Sequence, residues 1–309
     1  MLTTRPAPTP DVTHAGVHRP GAINLAALAL FAAIAYAVSW SWTFPLAIRG
    51  DVIMKGQGWP TDLPALAGPA CAALLVTAWI AGRAGTSELW SRITRWRMPV
   101  RWWAATLSPL AFLAVALGIA AAAGKLPHAA DFGRYSGLPL IGVGGVVFLA
   151  VVGGLGEETG WRGFALPTLQ RRYGALVAAL MITPLWALWH LPFFLTVDGF
   201  RHASPVAAVG FVFAIGCGSI VLTWLYNGTR GSILACAIWH GLYNVTTATV
   251  AASGLIAGVT TTFVVVLAIA LVGLELRARH LGTPSVLGPP PANEASRAND
   301  GLQLTVSVR

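Results

Sequence analysis

The most informative segment of the sequence is "LIGVGGVVFLAVVGGLGEETGWRGF", residues 140–164. It begins as a run apolar enough to lie in lipid, and it ends with two adjacent glutamates and an arginine, Glu157, Glu158 and Arg162. Ionisable side chains at membrane depth cost about 2.5–3.5 kcal/mol each on insertion scales, so they usually face a bundle interior or a wet cavity. The stretch therefore predicts a membrane helix that carries functional side chains.

The composition of the whole chain agrees with a membrane protein. Of its 309 residues, 56% are hydrophobic and only 10% are charged, whereas soluble domains carry about 25% charged residues. A spanning helix needs about 20 mostly apolar residues. We predict an all-α integral membrane protein, a polytopic bundle of about eight transmembrane helices, at residues 22–48, 63–82, 102–124, 138–161, 174–197, 204–227, 231–251 and 254–276.

The two ends of the chain differ from the middle. Residues 1–20 and 277–309 are polar and rich in proline, and such segments cannot bury enough apolar surface to fold. We therefore predict disordered cytoplasmic tails on either side of one transmembrane domain at residues 21–276. The chain shows no internal repeat. The three cysteines fall in apolar spans without CxxC spacing, so no disulfide is assigned to them.

The distribution of basic residues predicts the orientation. Five arginines lie between the second and third predicted spans, and Arg171 and Arg172 follow the fourth. With eight spans, these loops share a side with the N-terminus. The positive-inside rule then predicts a multi-pass protein of the cell membrane with both termini in the cytoplasm. The net charge of +9 is explained by this topology, so the expected partner is the lipid bilayer and not nucleic acid.

Three clusters of polar residues lie inside predicted spans. They are Glu157, Glu158 and Arg162; His190 in "WALWHLPFF"; and His240 with Asn244 in "WHGLYN". Glu158 and Arg162 are four residues apart, so they share one helix face and can neutralise each other. Glu157 is rotated about 100° from Glu158, which leaves one carboxylate free to point elsewhere.

This set of side chains suits hydrolysis. A carboxylate and an imidazole can hold and deprotonate a water molecule, and a second imidazole with an amide can donate hydrogen bonds to an oxyanion. No cofactor is certain, although Zn²⁺ is a candidate because His nitrogen and carboxylate oxygen are zinc ligands. The HExxH and GxSG patterns are absent. Each cluster alone also has a structural interpretation, as an interfacial salt bridge, a packing histidine or an asparagine that joins helices.

The same residues resemble the CPBP family, the CAAX proteases and bacteriocin-processing enzymes. "EETGWR", residues 157–162, matches the family motif EExxxR. "WALWH" matches an aromatic residue, usually Phe, followed by xxxH, with Trp186 in the aromatic position. "HGLYN" matches HxxxN. The three motifs lie in the family's order on successive apolar segments, within a core at about residues 138–250.

The resemblance implies an eight-helix intramembrane endopeptidase acting on a membrane-associated or lipidated protein or peptide. Glu157 and His190 would activate the water, His240 and Asn244 would form the oxyanion hole, and Glu158 and Arg162 would support the site. The family has been described both as glutamate-dependent and as metal-dependent, so the role of metal stays open. Eukaryotic members remove the last three residues of prenylated CAAX proteins. The remaining alternatives are a non-catalytic protein for bacteriocin immunity or scaffolding, and a transporter or proton relay.

Overall fold

A computed structural model describes residues 25–289, so the predicted tail 1–20 and residues 290–309 of the other tail lie outside the described residues. The described chain is helical and contains no strand beyond two isolated bridges. Its α-helices are α1 (Leu25–Arg49), α2 (Gly68–Ile93), α3 (Val100–Thr106), α4 (Ser108–Ala122), α5 (Gly142–Gly160), α6 (Leu166–Gln170), α7 (Ala175–Trp189), α8 (Phe193–Thr196), α9 (Asp198–Arg201), α10 (Pro205–Gly228), α11 (Ile233–Thr247) and α12 (Leu255–Leu281).

The prediction of an all-α polytopic membrane protein is confirmed. Six helical stretches are long and apolar enough to cross a membrane, and the pair α3 and α4, bent by 48°, makes a seventh if counted as one span. The seventh predicted span, 231–251, forms the shorter helix α11 of 15 residues. The fourth continues beyond its predicted end at residue 161, because the helical path runs on to Gln170.

The eight predicted spans correspond to eight helical segments, and the loops that connect these segments lie at the two ends of the bundle. At one end, Ile53 pairs with Val197, and the Val250 amide donates to the Arg134 carbonyl. At the opposite end, the Ser232 hydroxyl donates to the Arg95 carbonyl at 2.6 Å. The eight segments therefore alternate in direction, with α11 as a full member of the alternation despite its length. Leu25 and Leu281 consequently lie at the same end.

The second predicted tail begins later than residue 277. Helix α12 continues to Leu281, and the segment 282–289 folds back on it. The buried Glu275 carboxylate accepts hydrogen bonds from the backbone amides of Val286 and Leu287 at 2.9 and 3.1 Å. Leu287 is fully buried, and the Asn227 amide donates to its carbonyl at 2.7 Å. The boundary at residue 277 is corrected accordingly, because a buried acid supplies acceptors that a composition-based prediction cannot detect.

Glycines bring α5 and α11 into close contact. A Cβ atom on Gly154 would lie 2.6 Å from the Ala237 carbonyl oxygen, and one on Gly241 would lie 2.7 Å from the Val151 amide nitrogen. Small residues let membrane helices approach until their backbones touch. This approach places the acidic end of α5 beside the middle of α11, where His240 lies.

A π-helical turn, Trp161–Ala165, follows α5. The Leu166 amide donates to the Trp161 carbonyl, five residues back in the chain, which is the hydrogen bond of a π-helix. Such turns are common at functional sites. All five residues of the turn are buried, and the Arg92 guanidinium donates to the Gly163 carbonyl at 3.1 Å. The turn thus fixes Arg162 inside the bundle.

Candidate active site

Glu158 joins α5 to α11. Its Oε1 accepts a hydrogen bond from Arg162 Nη1 at 3.0 Å and another from His240 Nδ1 at 2.8 Å. Glu158 and Arg162 are completely buried, and His240 is 6% exposed. The predicted Glu158–Arg162 pair is therefore present. The contact with His240 was not predicted, because sequence spacing does not show which residues meet across two helices.

Glu157 is held by a different helix. Its Oε2 accepts a hydrogen bond from the indole Nε1 of Trp186 at 2.8 Å. Its Oε1 faces His240 Nε2 at 4.0 Å, a separation that suits a bridging water better than a direct hydrogen bond. The two glutamates thus differ in environment, as their positions on the helix predict. Glu157 nevertheless has partners, which come from α7 and α11 instead of from its own helix.

His240 lies between the two carboxylates. Because Nδ1 donates to Glu158, Nε2 can donate only when the ring is the doubly protonated imidazolium. Carboxylate oxygens at 2.8 and 4.0 Å favour that form. With both glutamates ionised and His240 protonated, Glu157, Glu158, Arg162 and His240 carry no net charge. Neutrality of this kind is what makes a buried ionic cluster tolerable.

His190 is fixed by the backbone of its own helix. Its Nδ1 donates to the Trp186 carbonyl at 2.8 Å, so the neutral ring has an accepting lone pair on Nε2. Aromatic rings surround the imidazole, with Trp189 at 4.8 Å and Phe211 at 5.1 Å between centroids. His190 therefore joins the cluster through Trp186, whose ring centroid is 5.4 Å from that of His240.

Asn244 lies one turn beyond His240 on α11 and is linked to a tyrosine that the sequence analysis did not identify. The Tyr135 hydroxyl lies close enough to the Asn244 side chain and to Glu157 to interact with both. Burial raises the pKa of Tyr135 above its ordinary value, so its hydroxyl keeps its proton. Tyr135 precedes the fourth span and is 109 positions from Asn244 in sequence, and no local motif marks it.

Several polar atoms of the cluster are buried without a hydrogen-bond partner among the described residues. They belong to three side chains of the motif on α5 and the π turn: Glu158 Oε2, Trp161 Nε1, and Nε and Nη2 of Arg162. The Arg162 guanidinium instead lies over the Trp186 ring, 4.6 Å from its centroid. Buried groups of this kind usually find a partner, so the cluster has unused hydrogen-bonding capacity close to Glu157.

The donor set of the cluster bears on whether zinc could bind there. Within residues 25–289, no three His, Cys, Asp or Glu side chains are grouped as ligands of one metal ion. Glu158 Oε1 is shared by two donors, and Glu157 Oε2 accepts from an indole. The described residues therefore do not form a zinc site in this arrangement. The role of a metal in the activity stays open.

The structure thus brings together all six predicted site residues, directly or through one neighbour. His240 lies within 4.0 Å of both Glu157 and Glu158, and Glu158 is paired with Arg162. His190 and Asn244 are joined to them by Trp186 and Tyr135. Trp186 was predicted only as the aromatic residue of a motif, and the structure adds that its side chain donates a hydrogen bond.

Comparison with known proteins agrees with the motifs. Residues 138–246 match the family model described as Type II CAAX prenyl endopeptidase Rce1-like. A relative, CAAX prenyl protease 2 of Methanococcus maripaludis, is 32% identical over 103 residues, which are 32% of this chain and 38% of the relative. The chain thus matches less than half the length of this curated relative. The predicted resemblance is confirmed over residues 138–246, a segment that is similar to the type II CAAX prenyl endopeptidases.

Proposed function

We propose that the protein is an intramembrane endopeptidase that hydrolyses a peptide bond of a membrane-associated or lipidated protein. One observation carries the proposal. The Glu157 carboxylate is buried, it is fixed at one oxygen by Trp186, and its other oxygen faces His240 Nε2 at 4.0 Å. Amide hydrolysis requires a general base and a hydrogen-bond donor to the oxyanion. Glu157 can act as the base, and His240 Nε2, on the other side of the gap between them, can act as the donor.

The reaction begins with a water molecule near Glu157. Glu157 Oε1 takes a proton from the water as its oxygen attacks the carbonyl carbon of the substrate. His190, which has Nε2 available as an acceptor, orients the same water. The carbonyl oxygen becomes an oxyanion, and the proton held by Glu157 then passes to the leaving nitrogen. The products are a carboxylic acid and an amine, so one water is consumed for each bond broken.

The oxyanion is stabilised from α11. His240 donates through Nε2 when its ring is the imidazolium, and Asn244 contributes its amide from the next turn of the same helix. Removal of one donor of this kind commonly costs about 10²–10³ in kcat. Glu158 holds His240 through Nδ1, and Arg162 balances the charge of Glu158. These two residues act through His240 and have no direct contact with the reacting atoms.

The substrate class follows from the location of the site. The catalytic side chains lie within membrane helices, and large apolar side chains such as Trp79 and Phe148 are exposed on the outer surface of the bundle, where lipid would cover them. A substrate that is itself in the membrane reaches such a site most directly. The relative's name, CAAX prenyl protease 2, makes a prenylated C-terminal peptide the first substrate to test.

The test compares two carboxylates in the purified protein in liposomes. A farnesylated peptide is incubated with wild type, Glu157→Gln and Glu275→Gln, and the products are identified by mass spectrometry. Glu275 is a matched control, because it is also buried but bonds to Arg279 and Ser285 instead of the cluster. Glu157→Gln should abolish turnover in a folded protein, and Glu275→Gln should retain it.

The substrate can also be sought in cells, by comparing C-terminal and membrane peptides of strains that carry wild type, Glu157→Gln or no copy. Peptides that change equally in the Glu157→Gln and deletion strains support the proposal. A phenotype that survives Glu157→Gln would instead favour the scaffolding alternative. A requirement for an ion gradient would favour the transporter.

A further inference from the structure

Trp186 occupies the motif position that usually holds Phe, and its side chain carries a hydrogen-bond donor that Phe lacks. The indole Nε1 donates a hydrogen bond to Glu157 Oε2 at 2.8 Å, and the side chain is 5% exposed. A hydrogen bond to a carboxylate is shorter and stronger than one between neutral groups. A phenylalanine in this position would leave Glu157 Oε2 without a donor.

The Trp186 ring also contacts both basic groups of the cluster. The Arg162 guanidinium lies 4.6 Å from its centroid, and the His240 ring meets it edge-on at 5.4 Å. These contacts need only an aromatic ring, which a phenylalanine would also supply. The hydrogen bond from His190 Nδ1 reaches the Trp186 backbone carbonyl, so it does not depend on the side chain. The indole N–H is therefore the interaction with the cluster that tryptophan makes and phenylalanine could not make.

That contribution concerns the orientation of Glu157. A carboxylate whose two oxygens are free rotates about its last torsion, which is broad and roughly two-fold. With Oε2 held by the indole, Oε1 is directed to the space beside His240 Nε2, 4.0 Å away. The base is then in position before any substrate arrives. Fixed geometry of this kind matters, because a displacement of about 1 Å can lower a rate by about 10²-fold.

We propose, on the basis of the endopeptidase function, that Trp186 is a positioning residue whose indole N–H aims the Glu157 carboxylate at the water beside His240. It acts through Glu157 and does not touch the reacting atoms. Trp186→Phe removes the donor and keeps an aromatic ring over Arg162. It should lower kcat about 10- to 100-fold and leave KM within about twofold, because binding of the substrate does not involve the indole.

A matched control is available in Trp42. Its indole Nε1 donates to the Thr61 carbonyl at 2.8 Å, so Trp42→Phe also deletes one indole donor from a partly buried site, but the acceptor is neutral and outside the cluster. Trp42→Phe should keep the kcat and KM of wild type. A kcat for Trp186→Phe equal to that of Trp42→Phe would overturn the proposal.

A second measurement does not depend on turnover. The protein is labelled with ¹⁵N at its indole nitrogens in detergent, and the Trp186 signal is assigned as the one lost in Trp186→Phe. Glu157→Gln should shift this signal, because a neutral amide oxygen accepts a weaker hydrogen bond than a carboxylate. The Trp42 signal should stay in place.

The two measurements separate the possible failures. An unmoved Trp186 signal in Glu157→Gln overturns the proposed hydrogen bond whatever the activity. Normal turnover in Glu157→Gln, with the signal shifted, refutes the endopeptidase mechanism and with it the positioning role. A shifted signal together with a lower kcat and an unchanged KM supports both.

Discussion

Glu158 Oε1 and His240 Nδ1 are 2.8 Å apart, so the second glutamate of the motif bonds directly to the histidine of the third. The same oxygen accepts from Arg162 at 3.0 Å. Glu158 thus has two structural roles. It neutralises the charge of the buried Arg162 guanidinium, and it determines which nitrogen of His240 faces Glu157. Its replacement should therefore affect both stability and turnover.

We predict that Glu158→Gln lowers the melting temperature in detergent and reduces turnover of the molecules that remain folded. Removing one partner of a buried ion pair costs about 3–5 kcal/mol, and Arg162 has no other carboxylate within salt-bridge distance among the described residues. Glu157→Gln leaves this pair intact and should melt within a few degrees of wild type. A melting temperature for Glu158→Gln as high as that of Glu157→Gln would contradict the prediction.

Tyr135→Phe should lower kcat about tenfold, which corresponds to about 1.4 kcal/mol and to the loss of one buried hydrogen bond. The reason is that Asn244 loses its tyrosine partner and no longer holds one orientation toward the oxyanion. Tyr243→Phe is the control. Its hydroxyl bonds to Thr261 at 3.1 Å, and its removal should leave kcat unchanged. Equal kcat values for the two variants would exclude a role for Tyr135.

The close contact of α5 and α11 makes Gly241→Ala a sensitive substitution. The new Cβ would lie 2.7 Å from the Val151 nitrogen, and backbone cannot move aside without separating the helices. Overpacking of this kind costs about 1–3 kcal/mol, and the separation should carry His240 away from Glu158, so both melting temperature and turnover should fall. Gly258→Ala on α12 has open space around it and should equal or exceed wild type in stability, because alanine favours a helix.

The orientation in the membrane is still a prediction, and cysteine labelling of intact cells tests it. Positions 87 and 171 lie at the end of the bundle that we place in the cytoplasm, and both are exposed. An impermeant maleimide should not label Ser87→Cys or Arg171→Cys until the cells are opened. It should label Lys125→Cys, which is exposed at the other end, from outside. The reverse pattern would invert the topology.

The sequence predicted the helices well because lipid makes hydrophobic length a strong signal. It could not predict the extent of α11, since residues 248–251 are apolar or neutral and yet leave the helix to pair with the loop at Tyr135. The six site residues were predicted from motifs, and spacing on one helix correctly paired Glu158 with Arg162. The contacts of Glu157 with Trp186 and of His240 with Glu158 depend on how α5, α7 and α11 pack, which no local pattern contains.

The neutral group formed by Glu157, Glu158, Arg162 and protonated His240 has an electrical consequence. When water gives its proton to Glu157, the group gains one positive charge just as the substrate oxygen a few ångströms away becomes negative. Almost no charge is displaced along the membrane normal, whereas moving one elementary charge across 100 mV involves about 2.3 kcal/mol. The turnover number in sealed vesicles should therefore stay constant when a potassium diffusion potential of either sign is imposed. A steep dependence on voltage would mean that ions or protons cross the bilayer with each cycle.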